Sequence, residues 1–223
     1  MESFNWENVK KPKAVLFDWD NTLVDTWPVI HYALNSTFSA FEKEEWSMND
    51  TMERVRLSLR DAFPEMFGDK WEDAREHFYT AFQAVHLDRL KVLPDAENLL
   101  VDMHKEDIYL GIVSNKTGKY LRDEVAHLGW EKYFGSIVGA GDTIKDKPAI
   151  DPLYLALNNS GADVGPDVWF VGDSGVDMEI AHVGGCLPVL LRDDNGPEGE
   201  FDTYFPKFKF DNCKSFLEAL KHI

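Results

Sequence analysis

Two aspartates separated by one residue, Asp18 and Asp20, directly follow the apolar run Ala14–Phe17. One carboxylate can attack phosphorus and form an aspartyl-phosphate, and a second can protonate the leaving oxygen and later activate water. Side chains alternate along a strand, so the two carboxylates point to opposite faces until the chain turns, and a turn can bring both to one crevice. Because an isolated Asp-x-Asp pair is more typical of a solvated turn, this chemistry depends on further polar residues nearby.

Three further polar clusters each follow an apolar run of the chain. They are Ser114-Asn115, Lys147-Pro148, and Asp173 with Asp177. The carboxyl ends of parallel strands meet at one edge of a sheet, so we expect all four clusters at that edge. A serine hydroxyl can donate to a phosphoryl oxygen, a lysine can neutralise charge in the transition state, and carboxylates can hold a hard cation.

The elements that must position these side chains are predicted from alternating apolar and amphipathic segments. The apolar runs predict short buried parallel strands at 14–17, 109–113, 136–139, 168–171 and 188–191. Helices are expected at about 95–106, 117–128, 150–160 and 175–183. This order predicts an α/β fold with a doubly wound, Rossmann-like parallel sheet that binds ligands at its strand carboxyl ends.

Residues 25–90 interrupt this alternation and are expected to form an inserted, small helical cap domain. Two apolar stripes recur there at helical spacing: Trp27, Ile30, Leu34, Phe38 and Phe41, and then Trp71, Ala74, Phe78, Phe82 and Val85. Residues 1–24 and 91–223 would then form the α/β core domain. Arg56 and Arg60 lie one helical turn apart and could meet an anionic substrate group, although surface pairing with Glu53 or Asp61 is the more usual arrangement.

The four clusters resemble the four motifs of the haloacid dehalogenase-like hydrolase superfamily. From about residue 13 to residue 222 the chain is similar to the phosphoglycolate-phosphatase-like branch of that superfamily. The resemblance implies that Asp18 is the nucleophile and Asp20 the general acid and base. It also implies that Ser114, Asn115 and Lys147 bind the substrate phosphate, with Lys147 orienting the nucleophile as well.

A magnesium site is a further implication of this resemblance. The ligands would be the side chain of Asp18, the main-chain oxygen of Asp20 and the carboxylate of Asp173, with Asp177 as a second, water-mediated acid. Waters would complete an octahedron, which suits Mg²⁺. Asn21 stands where glycine is common in the family.

Two lysines near the motifs leave alternatives open. Lys145 lies close enough to Lys147 to compete for its role. Lys116 follows Ser114-Asn115 and could be an accessory phosphate contact, but a lysine that opens a helix is more often solvated. It is therefore left off the catalytic set.

The predicted function is a magnesium-dependent phosphatase that hydrolyses a small-molecule phosphate monoester, with phosphoglycolate as one candidate. A phosphosugar mutase would use the same two aspartates and remains an alternative. A dehalogenase would leave Asp20 unexplained, and a phosphonate-cleaving relative would need a cap lysine such as Lys43, Lys70 or Lys91. A catalytically silent binding protein would not require the five residues Asp18, Asp20, Ser114, Lys147 and Asp173 together.

The composition limits the partners of this chain. Forty acidic and 23 basic residues give 223 residues a formal charge of −17, which argues against binding to nucleic acid or an anionic membrane surface. We expect a small phosphorylated metabolite as the partner, and the oligomeric state stays open. The absence of an apolar leader or spanning stretch predicts a cytoplasmic protein. Cys186 and Cys213 show no metal spacing and are predicted to be buried, structural residues.

Overall fold

A computed structural model describes residues 9–55 and 59–222, with the backbone but not the side chains of residues 59–61. The chain divides into two compact units. One comprises Met1–Val24 and Val92–Ile223, and the other comprises Asp25–Lys91. The four polar clusters all belong to the first unit.

A six-stranded parallel sheet forms the centre of the first unit. In chain order, the strands of the protein are β1 (Ala14–Phe17), β2 (Val24–Asp25), β3 (Lys91–Val92), β4 (Tyr109–Thr117), β5 (Ser136–Ala140), β6 (Val168–Gly172), β7 (Leu187–Leu191) and β8 (Phe208–Phe210). The large sheet has the order β5-β4-β1-β6-β7-β8, and β2 pairs with β3 separately. Strands β1 and β6 are buried along their whole length, which explains why their sequences are continuous apolar runs.

Helices cover both faces of this sheet. They are α5 (Ala96–Lys105), α6 (Gly118–His127), α7 (Asp151–Leu157), α8 (Gly175–Gly184) and α9 (Cys213–Leu220). On one face, Leu16 and Phe170 share a core with Leu153 of α7 and Ile180 of α8. Trp169 points the other way, because residues alternate along a strand, and it stacks on Phe216 of α9 with ring centroids 6.3 Å apart. The predicted doubly wound α/β fold is therefore confirmed.

Some element boundaries differ from the sequence prediction. Strand β4 was expected to end at Val113, but it continues to Thr117 because Thr117 still pairs with Ala140 of β5. Helix α7 ends at Leu157, earlier than expected. Strand β8 and helix α9 were not predicted; α9 begins with a capping box in which Asn212 accepts from the backbone nitrogen of Ser215.

The second unit is helical. Its helices are α1 (Trp27–Ala40), α2 (Met48–Arg54), α3 (Leu59–Phe67) and α4 (Trp71–Val85). Phe38 stacks on Phe67 with centroids 5.7 Å apart, and Phe63 contacts Phe78 edge to face. The middle of each predicted stripe is buried, whereas its ends are half-buried because they lie at the helix termini. Arg56 and the side chain of Arg60 lie outside the described residues, so the structure leaves the expectation about them as it was.

Two expectations about the chain as a whole can be compared with the structure. Cys186 and Cys213 are buried free thiols, as predicted. Burial raises the pKa of Cys186 to about 11 and that of Cys213 to about 12, which disfavours the reactive thiolate form of both residues. Among the helices that the structure describes, none has the length and apolar character needed to cross a lipid bilayer.

Candidate active site

The site lies at the carboxyl end of the central strand β1. Phe17 pairs with Ile112 of β4 on one side and with Val171 of β6 on the other. The backbone nitrogen of Asp18 donates to the carbonyl oxygen of Val171 over 2.8 Å, which extends the strand by one residue. The position of Asp18 is thus fixed by the sheet, and the last residues of β4 and the residues that follow β6 lie at the same edge.

Lys147 lies between two buried carboxylates. Its Nζ atom donates to Oδ1 of Asp18 and to Oδ1 of Asp177, each over 2.7 Å. The lysine side chain is only 2% exposed. Burial lowers its pKa, but Asp177 and Asp18 together outweigh that effect, so the net change raises the pKa and the ammonium stays charged. Lys145, the competing candidate, is exposed, and the structure therefore places Lys147 against Asp18.

Three carboxylates cluster around this edge. Asp18, Asp173 and Asp177 each present an oxygen, and these oxygens lie within 4.8 Å of one another. Burial raises the pKa of Asp18 to about 6; Lys147 opposes this rise, and the negative charge of Asp177 adds to it. Burial also raises the pKa of Asp173 well above its usual value, and the charges of Asp177 and Asp18 add to that effect. The cluster contains three carboxylates, of which two accept from a single lysine.

The chemistry of this donor set fits a hard divalent cation such as Mg²⁺, which prefers carboxylate oxygens. A cation would offset the negative charge that a single lysine leaves uncompensated. Both oxygens of Asp177 already accept from protein donors: Oδ1 from Lys147, and Oδ2 from the backbone nitrogen and hydroxyl of Ser174 over 3.1 and 2.6 Å. These donors orient Asp177, which suits a carboxylate that contacts a cation through water and not directly.

The start of helix α8 explains the position of Asp177. Ser174 is the N-cap of the helix and forms a capping box with Asp177. The last residue of β6, Gly172, packs against the Asp177 side chain so closely that an added Cβ atom would lie 2.3 Å from the carboxyl carbon of Asp177. Only glycine at position 172 leaves room for this carboxylate.

Arg192 and Glu200 form hydrogen bonds with the main chain of the loop that carries Asp173. Arg192 donates from Nη1 to the carbonyl oxygen of Asp173 over 2.8 Å and from Nη2 to Oε2 of Glu200 over 2.8 Å. Glu200 in turn accepts from the backbone nitrogen of Gly175 over 3.0 Å. Both residues follow β7 in an irregular segment, where periodicity gives no signal, and the sequence reasoning missed them.

Asp20 is placed by a tight turn after β1. The backbone nitrogen of Leu23 donates to the carbonyl oxygen of Trp19 over 3.1 Å, and that of Asn21 donates to Val24 over 2.7 Å. Asn21 has a positive φ of 58°, a conformation that asparagine and glycine tolerate better than other residues. This explains why asparagine can occupy the position. The Oδ1 atom of Asp20 lies 2.6 Å from Nζ of Lys116.

Lys116 also contacts a buried glutamate. Its Nζ atom donates over 2.6 Å to Oε2 of Glu124 in α6, and the same oxygen accepts from Nε1 of Trp19 over 2.7 Å. The interpretation of Lys116 as a solvated lysine that opens a helix is wrong, because the residue lies in β4 and its side chain is 7% exposed. Sequence reasoning missed Glu124. A signal for its burial was present, because Glu124 lies beside Val125 and three residues after Leu121, within the buried stripe of α6.

Ser114 and Asn115 lie in the same part of β4. Ser114 is buried, and its hydroxyl oxygen accepts from the backbone nitrogen of Lys116 over 3.2 Å. The amide nitrogen of Asn115 donates to the carbonyl oxygen of Lys147 over 3.1 Å. Asn115 therefore ties β4 to the loop of the buried lysine, and contact of either residue with a phosphate stays a prediction.

Comparisons with known proteins agree with this arrangement. Residues 15–189 match the model of the haloacid dehalogenase-like hydrolase family. The chain is 27% identical over 191 residues to a phosphoglycolate phosphatase of Photorhabdus laumondii, covering 82% of this chain and 81% of the relative. It is 26% identical to a phosphoglycolate phosphatase of Pasteurella multocida, covering 94% and 98%. The crystal structure of a predicted phosphoglycolate phosphatase from Haemophilus somnus superimposes with a TM-score of 0.83 at 21% identity, covering 95% and 99%.

Proposed function

The chain belongs to the haloacid dehalogenase-like hydrolase family, and we propose that it is a Mg²⁺-dependent phosphatase acting on a small-molecule phosphate monoester through an aspartyl-phosphate on Asp18. The observation that carries the proposal is the buried contact of Lys147 with Asp18, beside the carboxylates of Asp173 and Asp177. A buried carboxylate held by an ammonium next to a cation-binding cluster is an arrangement suited to phosphoryl transfer.

The first step in this proposal is attack of the Asp18 carboxylate on phosphorus. Lys147 orients that carboxylate and neutralises charge on the transferred phosphoryl oxygens. Asp20 donates a proton to the leaving oxygen, so that the alcohol departs as a neutral molecule. The hydroxyl of Ser114 donates to the phosphoryl group, and Asn115 holds the main chain of Lys147 in place.

The second step is hydrolysis of the aspartyl-phosphate. Asp20, now ionised, accepts a proton from the attacking water, and Asp18 is released with inorganic phosphate as the second product. Mg²⁺, held by Asp18, Asp173 and the main-chain oxygen of Asp20, would supply electrostatic stabilisation of the phosphoryl oxygens when bound. Asp177 would hold Lys147 and the carboxylate ligands in their positions.

Phosphoglycolate is the first substrate to test, because relatives along most of the chain carry that name. In this proposal the helical unit Asp25–Lys91 is the inserted cap domain. The family motifs are shared with phosphosugar mutases, which return the phosphoryl group to a sugar instead of passing it to water. Release of inorganic phosphate distinguishes the two reactions.

The test is a panel of phosphate monoesters that includes phosphoglycolate, sugar phosphates, nucleotides and dinitrophenyl phosphate. Each is incubated with wild-type enzyme in Mg²⁺, with wild-type enzyme in EDTA, and with Asp18→Asn in Mg²⁺. We expect phosphate release from at least one ester only in the first condition. Release that is unaffected by EDTA, or phosphoryl transfer between sugar positions without free phosphate, would overturn the proposal.

A further inference from the structure

We propose that Lys116 and Glu124 are positioning residues that hold the carboxylate of Asp20 for its acid and base steps. The inference rests on the proposed function, since it concerns the proton transfers assigned there to Asp20. Neither residue belongs to the set that the sequence motifs single out.

A continuous chain of short contacts carries the proposal. Nε1 of Trp19 donates to Glu124 over 2.7 Å, Lys116 donates to Glu124 over 2.6 Å, and Nζ of Lys116 lies 2.6 Å from Oδ1 of Asp20. Exposure rises along this chain from 0% for the Glu124 side chain to 7% for Lys116 and 27% for Asp20. The chain therefore begins in the protein interior and ends at the carboxylate that must meet substrate and water.

The interior end of the chain is rigid. Trp19 is fully buried and packs edge to face on Trp130, with centroids 5.9 Å apart. Glu124 lies on the buried side of α6 with Leu121 and Val125, and its Oε2 atom accepts from both Trp19 and Lys116, which fixes the position of its carboxylate. Lys116 is anchored through its backbone nitrogen to Ser114. An ammonium held by these groups can define where Oδ1 of Asp20 lies.

The fold alone does not require this arrangement. A buried ion pair is often no more stabilising than a well-packed apolar pair of similar size, because the desolvation of both charges offsets their attraction. The pairing of Glu124 with Lys116, in the buried stripe of α6, therefore needs another explanation. Fixing the position of Asp20 supplies one. Its backbone lies in a tight turn before Asn21, and the ion pair of Oδ1 with Lys116 restricts the remaining freedom of the side chain.

Lys147 and Lys116 then have separate tasks. Lys147 serves Asp18 and Asp177, and Lys116 serves Asp20 and Glu124. Displacement of a reacting group by about 1 Å can lower a rate by about 100-fold. Loss of the Lys116 ammonium should accordingly affect the step that needs the proton of Asp20, and should affect other steps much less.

The experiment compares two substrates that differ in their need for a proton. One is the alkyl phosphate that the wild-type enzyme hydrolyses fastest in the panel, whose leaving group must be protonated. The other is dinitrophenyl phosphate, whose leaving group departs as a stable anion. General acid catalysis contributes about 100- to 10,000-fold. We expect Lys116→Met to lower kcat/KM for the alkyl ester by about 100-fold and that for dinitrophenyl phosphate by less than about 5-fold.

Matched variants accompany this measurement. Lys119 lies on the exposed side of α6 and pairs with Asp123, so Lys119→Met and Asp123→Asn are controls expected to leave both rates unchanged. Glu124→Gln keeps an acceptor for Trp19 and is expected to show the Lys116→Met pattern to a smaller degree. Thermal unfolding of each variant is followed by circular dichroism, and Glu124→Gln carries the test if Lys116→Met does not fold.

A double variant separates positioning from general destabilisation. Because Lys116 acts through Asp20 in this inference, adding Lys116→Met to Asp20→Asn should cost less than about 3-fold further on the alkyl ester. Equal loss on both substrates, or full activity of Lys116→Met on both, would overturn the inference while leaving the proposed function intact. Undiminished cleavage of dinitrophenyl phosphate by Asp18→Asn would instead overturn the proposed function.

Discussion

Lys147 donates a 2.7 Å hydrogen bond to Asp18, although 129 positions separate the two residues in sequence. The contact is possible because Asp18 ends the central strand and Lys147 belongs to the segment between β5 and α7. Its second bond, to Asp177 in α8, joins a third element to the same point. A single ammonium thus links three separate parts of the first unit at one sheet edge.

Replacing Lys147 should abolish most activity. Lys147→Met removes the ammonium and leaves Asp18 and Asp177 as neighbouring buried carboxylates, so we expect kcat to fall by about 100- to 1,000-fold. Lys145→Met, an equally large change at the exposed lysine two positions earlier, should leave kcat within about 2-fold of wild type. Steady-state phosphate release measures both, and a larger loss in Lys145→Met would contradict the assignment.

Gly172→Ala should destabilise the protein and reduce activity together. The new methyl group would lie 2.3 Å from the carboxyl carbon of Asp177, and such overpacking costs about 2 kcal/mol. Gly175→Ala is the matched control, because its Cβ atom would approach Glu200 to an ordinary 3.4 Å. Urea unfolding measures the free energies; equal stabilities of the two variants would show that Gly172 is not constrained as described.

Mg²⁺ binding should be visible as a stability change, independently of activity. A ligand that binds only the folded state raises its stability, by about 2.7 kcal/mol at 100 times Kd. We expect Mg²⁺ to raise the Tm of the wild type and of the exposed control Asp193→Asn, but not that of Asp173→Asn. In EDTA, Asp173→Asn should be at least as stable as wild type, because it removes a carboxylate that burial and like charges disfavour. A full Mg²⁺ shift in Asp173→Asn would exclude this residue as a ligand.

The ion pair between Arg122 and Asp142 should make stability depend on pH. Arg122 donates to both Asp142 oxygens, over 2.7 and 3.1 Å, and this bonding lowers the pKa of Asp142 in the folded protein. A carboxylate with a lowered folded pKa stabilises the protein above its unfolded pKa, which is about 3.9, and this contribution disappears as pH falls through the folded value.

Asp142→Asn should therefore cost about 1 kcal/mol at pH 7 and progressively less below about pH 4. Urea unfolding across this range measures the difference. Asp123→Asn, at an exposed pair on α6, is the control and should change stability by less than about 0.5 kcal/mol. A cost of Asp142→Asn that stays constant with pH would mean that the ion pair is not its cause.

The sheet was predictable because parallel strands buried on both faces must be continuous apolar runs, and β1, β6 and β7 have such sequences. Strand β8 was missed, since Phe208-Lys209-Phe210 is too short to show a period. The end of β4 was placed too early because Ser114 and the residues after it are polar, whereas pairing with β5 continues to Thr117.

The proximity of the candidate site residues was predictable in a different way, and their catalytic roles stay predictions. Asp18 and Asp173 could be expected near each other because each directly follows a strand and strand ends converge, and Lys147 because its motif lies in the connection that follows β5. The partners of Asp20 could not be identified from motifs. The contact with Lys116 depends on the turn at Asn21 and on the orientation of α6, which places Glu124 on its buried side. Side-chain contacts between distant elements are decided by packing, which spacing along one element does not reveal.

Trapping the covalent intermediate is the most direct test of the aspartyl-phosphate mechanism. Enzyme turning over its best phosphate ester in Mg²⁺ is quenched in acid, digested, and mapped by mass spectrometry, with Asp18→Asn treated in parallel. The proposed mechanism predicts one phosphoryl group on the peptide that contains Asp18, and neither adduct nor phosphate release in Asp18→Asn. A phosphoryl group on another residue, or continued phosphate release by Asp18→Asn, would contradict it.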